Sequence, residues 1–309
     1  MGEKRGKILV LRGGAIGDFI LTLPAIAALR GTFPSTHVEV LGYPVVAELA
    51  RAARIIDGFR SIEARPLARF FARNAKLDEE WSDYFDSFNV IISYLYDPDD
   101  IFKTNVGRAS KAQFIQGPHR PSESDATHAT TVFLQPLEKL AIFEVDPVPK
   151  IELPAAAVRL AGDWVAVHPG SGSEKKNWPE KHWQELLKQI VNETSANILL
   201  IGGEAEVNRL STLKTLLPPA RSKLALNLPL SELAQLMNSA NGFVGHDSGI
   251  THLAAALGLP VLILWGPSNE QIWRPLNSGV KIMREPAGLE SLSPGRVFQE
   301  LVESKVIGA

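Results

Sequence analysis

The chain has 309 residues, 45% of them hydrophobic, which is enough to bury the core of one large domain or of two ordinary ones. Its 32 basic and 34 acidic residues give a net charge of -2, which excludes a general attraction to nucleic acid or to an anionic membrane. The absence of cysteine excludes disulfides and thiolate metal sites and agrees with a reducing compartment.

Neither a membrane span nor an export signal is predicted. No apolar run approaches the roughly 18 residues of a transmembrane helix. The opening residues, MGEKRGKILVLRGG, lack the apolar region and the small-residue cleavage site of a signal peptide. We therefore expect a cytoplasmic protein.

The first half of the chain opens like a doubly wound α/β domain. The apolar runs Lys7 to Leu11 and His37 to Leu41 predict two strands of a parallel sheet. The glycine-rich turn RGGAIGD and a run with helical spacing lie between them. Ligands of such sheets bind beyond the carboxyl ends of the strands, so this turn is a candidate site.

The turn matches neither common nucleotide-binding fingerprint. Arg12 takes the position of the first glycine of GxGxxG, and the second predicted strand ends without an acidic residue for a ribose hydroxyl. The GxxxxGK[ST] pattern of a P-loop is also absent from the sequence. A nicotinamide-dependent enzyme and a P-loop protein are therefore not expected.

Two features later in the first half have a structural and a functional interpretation. A helix would align Arg65, Arg69 and Arg73, either as a solvated stripe or as a dock for an anionic acceptor or lipid headgroups. The acidic run Asp97 to Asp100 could hold a hard cation, but it is more typical of a turn with helix-capping aspartates. A helix at His128 to Phe143 is expected to complete the domain.

A shift in composition marks a domain boundary. Prolines and alanines between Pro147 and Gly162 predict a linker, and the order strand, glycine-rich loop, helix, strand then restarts at Trp164. We therefore predict two similar α/β domains, residues 1–155 and 156–309, facing across a cleft.

The loop HPGSGSEKKNWPEKHW is the first candidate anion site of the second half. Its small residues 170–173 let backbone N–H groups approach an anion, and Lys175 and Lys176 add positive charge. A lysine in this setting could stabilise a diphosphate leaving group. The alternative is a solvent-exposed loop with ordinary lysines.

The stretch ANGFVGHDSGITHLAAALGLPVLILWGP predicts a strand, a turn, a helix and a second strand. Asp247 or Ser248 can cap the helix, and Gly258 suits a left-handed position at its end. Gly249 leaves the first N–H groups open, so the helix start could hold a phosphate, although a capped helix without a ligand fits the pattern equally. Glu204 and Glu206 in LIGGEAE follow another strand, where a ribose could bind, but glutamate also favours a helix start for electrostatic reasons.

Four motifs in this order resemble the lipopolysaccharide heptosyltransferases of glycosyltransferase family 9: RGGAIGD with its helix, HPGSGSEKKNWPEKHW, LIGGEAE, and LPLSELAQLMNSANGFVGHDSGITHLAAALGLPVLILWGP. The resemblance covers nearly the whole chain. It implies a GT-B fold, in which two Rossmann-like α/β domains face across a cleft, with an acceptor-binding first domain and a nucleotide-sugar-binding second domain. In such folds the last helix, predicted here at Pro294 to Val306, is expected to cross back to the first domain.

The implied reaction is inverting, needs no metal or cofactor, and moves a heptose from ADP-heptose to an inner-core lipopolysaccharide sugar. Asp18 is implied as the general base that deprotonates the acceptor hydroxyl, with helix capping as its alternative role. Lys176 would offset the charge on the departing diphosphate. The implied donor contacts are Ser171, Gly172, Ser173 and Lys176 in the phosphate loop, Ser248, Gly249 and His252 at the helix start, Asp247 on the donor sugar, Glu204 on the ribose with Glu206 in reserve, and the Leu228 backbone on the base.

The expected partners are therefore a nucleotide-sugar donor and an anionic lipopolysaccharide-core acceptor, with peripheral contact of the first domain with the inner membrane if the acceptor is lipid-linked. Nucleic acid is not expected. The first-domain acceptor loops are short for the family, which leaves the acceptor open. An anionic acceptor would suit the basic residues of the first domain if they converge on one cleft: Arg60, Arg65, Arg69, Arg73, Arg108, Lys111 and Arg120.

Two other functions stay open at this level. Nucleotide-sugar 2-epimerases share the two-domain architecture, but an epimerase needs acid and base groups flanking the donor sugar, and Asp18 has no obvious partner in sequence. A non-catalytic nucleotide-sugar binding protein would tolerate the loss of Asp18, whereas a transferase would lose turnover and keep its donor affinity.

Overall fold

The computed structural model describes residues 6–154 and 160–308. The chain divides into two compact units, Met1–Pro147 and Val148–Ala309. The alanine-rich part of the predicted linker, with the predicted boundary between residues 155 and 156, lies outside the described residues. Within the described ranges, every helix is too short or too polar to cross a membrane.

The described part of the first unit forms a parallel sheet of five strands. The strands are β1 (Lys7–Arg12), β2 (His37–Gly42), β3 (Gly58–Ser61), β4 (Val90–Ser93) and β5 (Gln113–Gln116). The helices are α1 (Ile16–Thr32), α2 (Pro44–Ala52), α3 (Glu79–Asp86), α4 (Ile101–Ala109) and α5 (Ala129–Leu134). The strand order β3-β2-β1-β4-β5 makes β1 the central strand, so the loops that follow β1 and β4 are neighbours at the point where the winding reverses.

The predicted arginine-bearing α-helix is wrong. Arg65–Phe71 is a 3₁₀ helix, with about three residues per turn, and it buries Leu67 and Phe70 at that spacing. Arg73 lies beyond the end of this helix and donates to Asp99 over 3.3 Å. The three arginines therefore do not form an α-helical stripe.

The helix predicted at His128 to Phe143 is also shorter than expected. Helix α5 ends at Leu134, and Gln135–Leu140 continues as a 3₁₀ helix. Pro136 has no N–H to continue the α-helical hydrogen bonds, which explains the change.

The described part of the second unit forms a parallel sheet of six strands. The strands are β6 (Trp164–His168), β7 (Asn197–Gly202), β8 (Ser222–Leu226), β9 (Gly242–His246), β10 (Val261–Leu264) and β11 (Val280–Met283). The helices are α6 (Glu180–Glu193), α7 (Val207–Thr215), α8 (Leu230–Met237), α9 (Gly249–Ala256), α10 (Glu270–Trp273) and α11 (Pro294–Glu303). In the order β11-β10-β9-β6-β7-β8, the central strands β6 and β9 pair with His168 opposite Gly245.

Helix α11 packs against α6 within the second unit. Helix α6 buries Trp183, Leu186, Leu187 and Ile190, a spacing that lines one face of an α-helix. Val297 and Leu301 of α11 belong to the same apolar core. The last helix is thus part of the core of its own unit.

Candidate active site

The pairing of β6 with β9 brings the two motifs of the second unit together. The Nζ atom of Lys176 donates to Oδ2 of Asp247 over 2.6 Å, and the hydroxyl of Ser268 donates to the same oxygen over 2.5 Å. Asp247 is 8% exposed, whereas the side chain of Lys176 is 32% exposed. The lysine therefore has a fixed partner on one side and an accessible face on the other.

The loop between β6 and α6 is held by its own side chains. The hydroxyl of Ser171 lies 2.8 Å from the carbonyl of Ser173 and 2.8 Å from Oδ1 of Asn177, and it accepts from the Ser173 N–H. A 3₁₀ turn, Glu174–Lys176, follows. Gly266 allows a close backbone approach, since a Cβ there would lie 3.3 Å from the Lys176 Cα. The backbone that carries Lys176 is thus fixed from two sides.

His246, at the end of β9, joins both ends of this loop. Its Nε2 accepts from the Trp178 N–H over 2.8 Å, so Nδ1 carries the proton and donates to the Gly170 carbonyl over 3.2 Å. The ring is fully buried, and burial lowers the pKa of His246 to about 3. We infer that His246 is a neutral structural link across the phosphate loop.

A second buried group supports the loop from below. Arg209 Nη1 donates to the Pro169 carbonyl over 3.1 Å, and its Nη2 pairs with Glu174 at 3.0 Å. Beside it, His168 contacts the Ile201 carbonyl at 2.9 Å, and burial lowers the pKa of His168. Gly170 packs so closely against the Glu206 side chain that a Cβ would clash there.

The start of α9 is capped by Ser248, whose hydroxyl accepts from the Thr251 N–H over 3.3 Å. Of the two predicted caps, Ser248 is therefore the one observed, and Asp247 is bonded to Lys176 instead. Helix α9 begins at Gly249, His252 is buried in its first turn, and Gly258 has the predicted left-handed backbone with φ 81°.

The predicted ribose and base contacts follow the neighbouring strands. Glu204 is exposed in the turn after β7. Glu206, the reserve candidate, is buried and accepts from the Gly203 N–H over 2.8 Å, so its carboxylate already serves the turn. Leu228 is half-buried in the loop after β8. Their roles toward a nucleotide stay predictions.

The site of the first unit lies at the carboxyl end of β1. Asp18 is in the first turn of α1, and its Oδ2 accepts from the Ala15 N–H over 2.9 Å. Ala15, not Asp18, is the N-cap residue, so Asp18 caps the helix by reaching back. The other oxygen, Oδ1, lies 3.7 Å from Nη2 of Arg12, and the Asp18 side chain is 28% exposed. Gly14, with φ 95°, provides the tight approach to this carboxylate.

Arg12 is 2% exposed and connects the Asp18 turn with the loop after β5. It donates to the Asp18 carbonyl over 3.2 Å and to the His119 carbonyl over 2.9 Å. Its guanidinium lies 4.4 Å from the centre of the Phe133 ring, a cation–π distance. Burial lowers the pKa of Arg12, while the charge of Asp18 raises it.

The acidic run after β4 is a capping turn. Asp97 accepts from the N–H groups of Phe102 and Lys103 over 3.1 and 2.9 Å, and both of its oxygens are thereby used at the start of α4. Asp99 pairs with Arg73, and Asp100 pairs with Lys103. The helix-capping interpretation of this run is therefore the one that the structure supports.

The basic residues of the first unit do not all converge. Arg108, at the end of α4, and Lys111, directly before β5, lie at the amino-terminal edge of the sheet. Arg120 follows β5 at the opposite edge. Arg60 is on the outermost strand, β3, and pairs with Glu80 at 3.0 Å. The prediction of one basic cleft is wrong because consecutive residues around a parallel strand end up on opposite edges of the sheet.

Sequence reasoning missed four residues of these sites. They are Arg12, Arg209, His246 and Ser268. Arg12 and His246 carry a usable signal, because each is a polar residue at the carboxyl end of a central apolar strand. Arg209 and Ser268 sit in ordinary polar surroundings in sequence, so their roles depend on tertiary contacts.

Comparisons with known proteins agree with this architecture. The family model of glycosyltransferase family 9 (heptosyltransferase) matches residues 146–295. A Haemophilus influenzae protein described as "Putative glycosyltransferase" is 24% identical over 92% of this chain and 91% of its own length. Lipopolysaccharide heptosyltransferase 2 of Escherichia coli is 32% identical over 39% of this chain and 35% of that protein. The structure of E. coli ADP-heptose lipopolysaccharide heptosyltransferase II matches with a TM-score of 0.78 and 16% identity, over 97% of this chain and 98% of that one.

Through residues 146–295, the chain belongs to glycosyltransferase family 9, and it is a glycosyltransferase. The predicted GT-B class, an α/β architecture of two Rossmann-like domains, is confirmed by the two parallel sheets and the structural match.

Proposed function

We propose that this glycosyltransferase transfers a heptose from ADP-heptose to an inner-core lipopolysaccharide sugar, with inversion and without a metal. The observation that carries the proposal is the Lys176–Asp247 pair, which lies between the glycine-rich loop after β6 and the start of α9. Two of the similar proteins are named as lipopolysaccharide heptosyltransferases, one of them with ADP-heptose in its title. Both names support the choice of donor and acceptor.

The second unit would bind the donor. Backbone N–H groups of residues 170–173 and of the α9 start suit the two phosphates, because both present donors to an anion. Lys176 would neutralise the charge that develops on the diphosphate, and Asp247 would orient the donor sugar while holding the lysine. Glu204 would bind the ribose, and the Leu228 backbone would contact the adenine.

The first unit would activate the acceptor. The Asp18 carboxylate takes the proton of an acceptor hydroxyl, and the resulting oxygen forms the new bond to the anomeric carbon. The bond between that carbon and the diphosphate oxygen breaks, and ADP leaves with the electron pair. Because the attack comes from the face opposite the nucleotide, the anomeric configuration inverts.

The location follows from the acceptor. A lipid-linked core acceptor would place the enzyme at the cytoplasmic face of the inner membrane, with the first unit in peripheral contact. Flotation of the protein with acceptor-containing vesicles, compared with vesicles lacking the acceptor, tests that contact.

Calorimetric titration with ADP, UDP, GDP and NAD tests the donor site. We expect preferential ADP binding that weakens in Lys176→Ala and is retained in Lys175→Ala, a matched control because Lys175 is an exposed neighbour in the same turn. Preference for UDP would move the proposal to another sugar nucleotide. Binding of none of the four would contradict the proposed donor site.

A further inference from the structure

Two aromatic side chains stand beside the Asp18 turn of the first unit without a role in the proposed chemistry. Tyr96 lies in the loop after β4 and is 67% exposed, which is high for an aromatic residue. His119 lies in the loop after β5 and is also exposed. Their ring centres are 4.7 Å apart with an angle of 63° between the planes, so the two rings form one aromatic corner.

This corner is joined to the Asp18 turn by two independent contacts. Arg12 donates to the His119 carbonyl over 2.9 Å and to the Asp18 carbonyl over 3.2 Å, so one buried guanidinium connects both. Leu95, the neighbour of Tyr96, packs against Gly13, where a Cβ would lie 3.5 Å from the leucine side chain. The corner and Asp18 therefore belong to one continuous surface at the carboxyl ends of β1, β4 and β5.

The backbone on both sides of the corner is held firmly. The side-chain amide nitrogen of Gln116 lies 3.1 Å from the Leu95 carbonyl and 2.9 Å from the Gly117 carbonyl, which connects the two loops that carry the rings. Asp97, directly after Tyr96, uses both carboxylate oxygens on the start of α4. Binding to a surface fixed in this way loses little conformational entropy.

We propose that Tyr96 and His119 form a stacking platform for the acceptor sugar ring, beside the carboxylate that takes its proton. The proposal rests on the proposed role of Asp18 as the base. A pyranose has an apolar C–H face that matches an aromatic face, and its hydroxyls project from the rim. A ring seated on the platform would present one hydroxyl toward Asp18, and such orientation is a large part of the rate of a two-substrate reaction.

Kinetics of the full-length protein test the platform, with ADP-heptose as donor and heptose-free lipopolysaccharide core oligosaccharide as acceptor. We expect Tyr96→Ala and His119→Ala to raise the acceptor KM by roughly tenfold and to leave ADP affinity unchanged. Tyr96→Phe keeps the ring and should stay near wild type. Phe143→Ala is the matched control, because Phe143 is an aromatic residue of the same unit with 64% exposure.

The outcomes separate the platform from the proposed function. An unchanged acceptor KM in Tyr96→Ala, with turnover intact, would overturn the platform and leave the proposed function standing. An equal rise in Phe143→Ala would overturn it as well.

If the wild type neither binds ADP nor transfers heptose, the proposed function fails, and saturation-transfer NMR with the same oligosaccharide tests the platform by itself. Contact signals that disappear in Tyr96→Ala and persist in Phe143→Ala would support it. Signals that persist in both variants, or are absent in the wild type, would overturn it.

Discussion

The ammonium of Lys176 and the carboxylate of Asp247 are hydrogen-bonded over 2.6 Å, although they are separated by 71 positions in the sequence. Asp247 is nearly buried and also accepts from Ser268, so the geometry of the lysine is set by a carboxylate that is itself held in place. A donor diphosphate that approaches the exposed side of Lys176 meets a cation already oriented toward it.

Replacing the carboxylate of this pair should impair catalysis more than folding. In Asp247→Asn the amide oxygen can still accept from Ser268, but the charge that orients Lys176 is lost. We expect kcat/KM to fall about 10- to 100-fold, since small misplacements of a catalytic group cost this much. Steady-state kinetics with ADP-heptose measure the loss. Ser268→Ala should lie between wild type and Asp247→Asn, and a Ser268→Ala loss as large as that of Asp247→Asn would show that the charge is not the important term.

The two roles of Asp18 can be separated by substitution. Asp18→Asn retains an oxygen that can accept from the Ala15 N–H, so the melting temperature should stay near that of the wild type. The variant lacks the base, and kcat should fall by about 10²- to 10⁴-fold while ADP affinity is retained. Asp18→Ala should add a loss of stability of about 1 kcal/mol from the missing cap. Full turnover in Asp18→Asn would assign the residue to the helix alone.

His246 should be required for donor binding although it lies behind the phosphate loop. His246→Phe removes both the acceptor for Trp178 and the donor for Gly170, and each unsatisfied backbone group costs about 1–3 kcal/mol. We expect lower stability and weaker ADP binding by calorimetry. His246→Gln places an amide near the Nε2 position and should recover part of both. Equal ADP affinity in all three proteins would show that the loop keeps its shape without this link.

The buried histidines should make folding sensitive to mild acid. Burial lowers the pKa of His246 from 6.5 to about 3, and it lowers the pKa of His168 as well. Below pH 6.5 the unfolded chain takes up protons that the folded protein excludes, so stability is lost as the pH falls. At pH 5 the loss is about 2 kcal/mol for a histidine that stays neutral when folded.

Urea unfolding at pH 7 and pH 5 measures this effect. His246→Gln serves as the comparison, because the carboxylates contribute equally to both proteins. The decrease between the two pH values should be smaller in the variant by about 2 kcal/mol. An identical decrease would show that His246 is protonated in the folded protein at pH 5.

The sequence by itself determined the fold class and the order of the motifs. Unbroken apolar runs such as Lys7 to Leu11 specify strands buried on both faces, and local rules located the Ser248 cap and the left-handed Gly258. These features depend on residues within a few positions of one another, which is the range that periodicity and turn chemistry report.

Only the tertiary structure decided which side chains meet. Strand order placed the loop of Lys176 beside Asp247, and it separated Lys111 from Arg120 although both flank β5. The burial of Arg12 under Asp18 and the link through His246 depend on partners contributed by other strands and loops. Hydrogen bonds and ion pairs across such sequence distances follow from strand pairing, which local composition does not encode, and so the geometry of the site came from the fold.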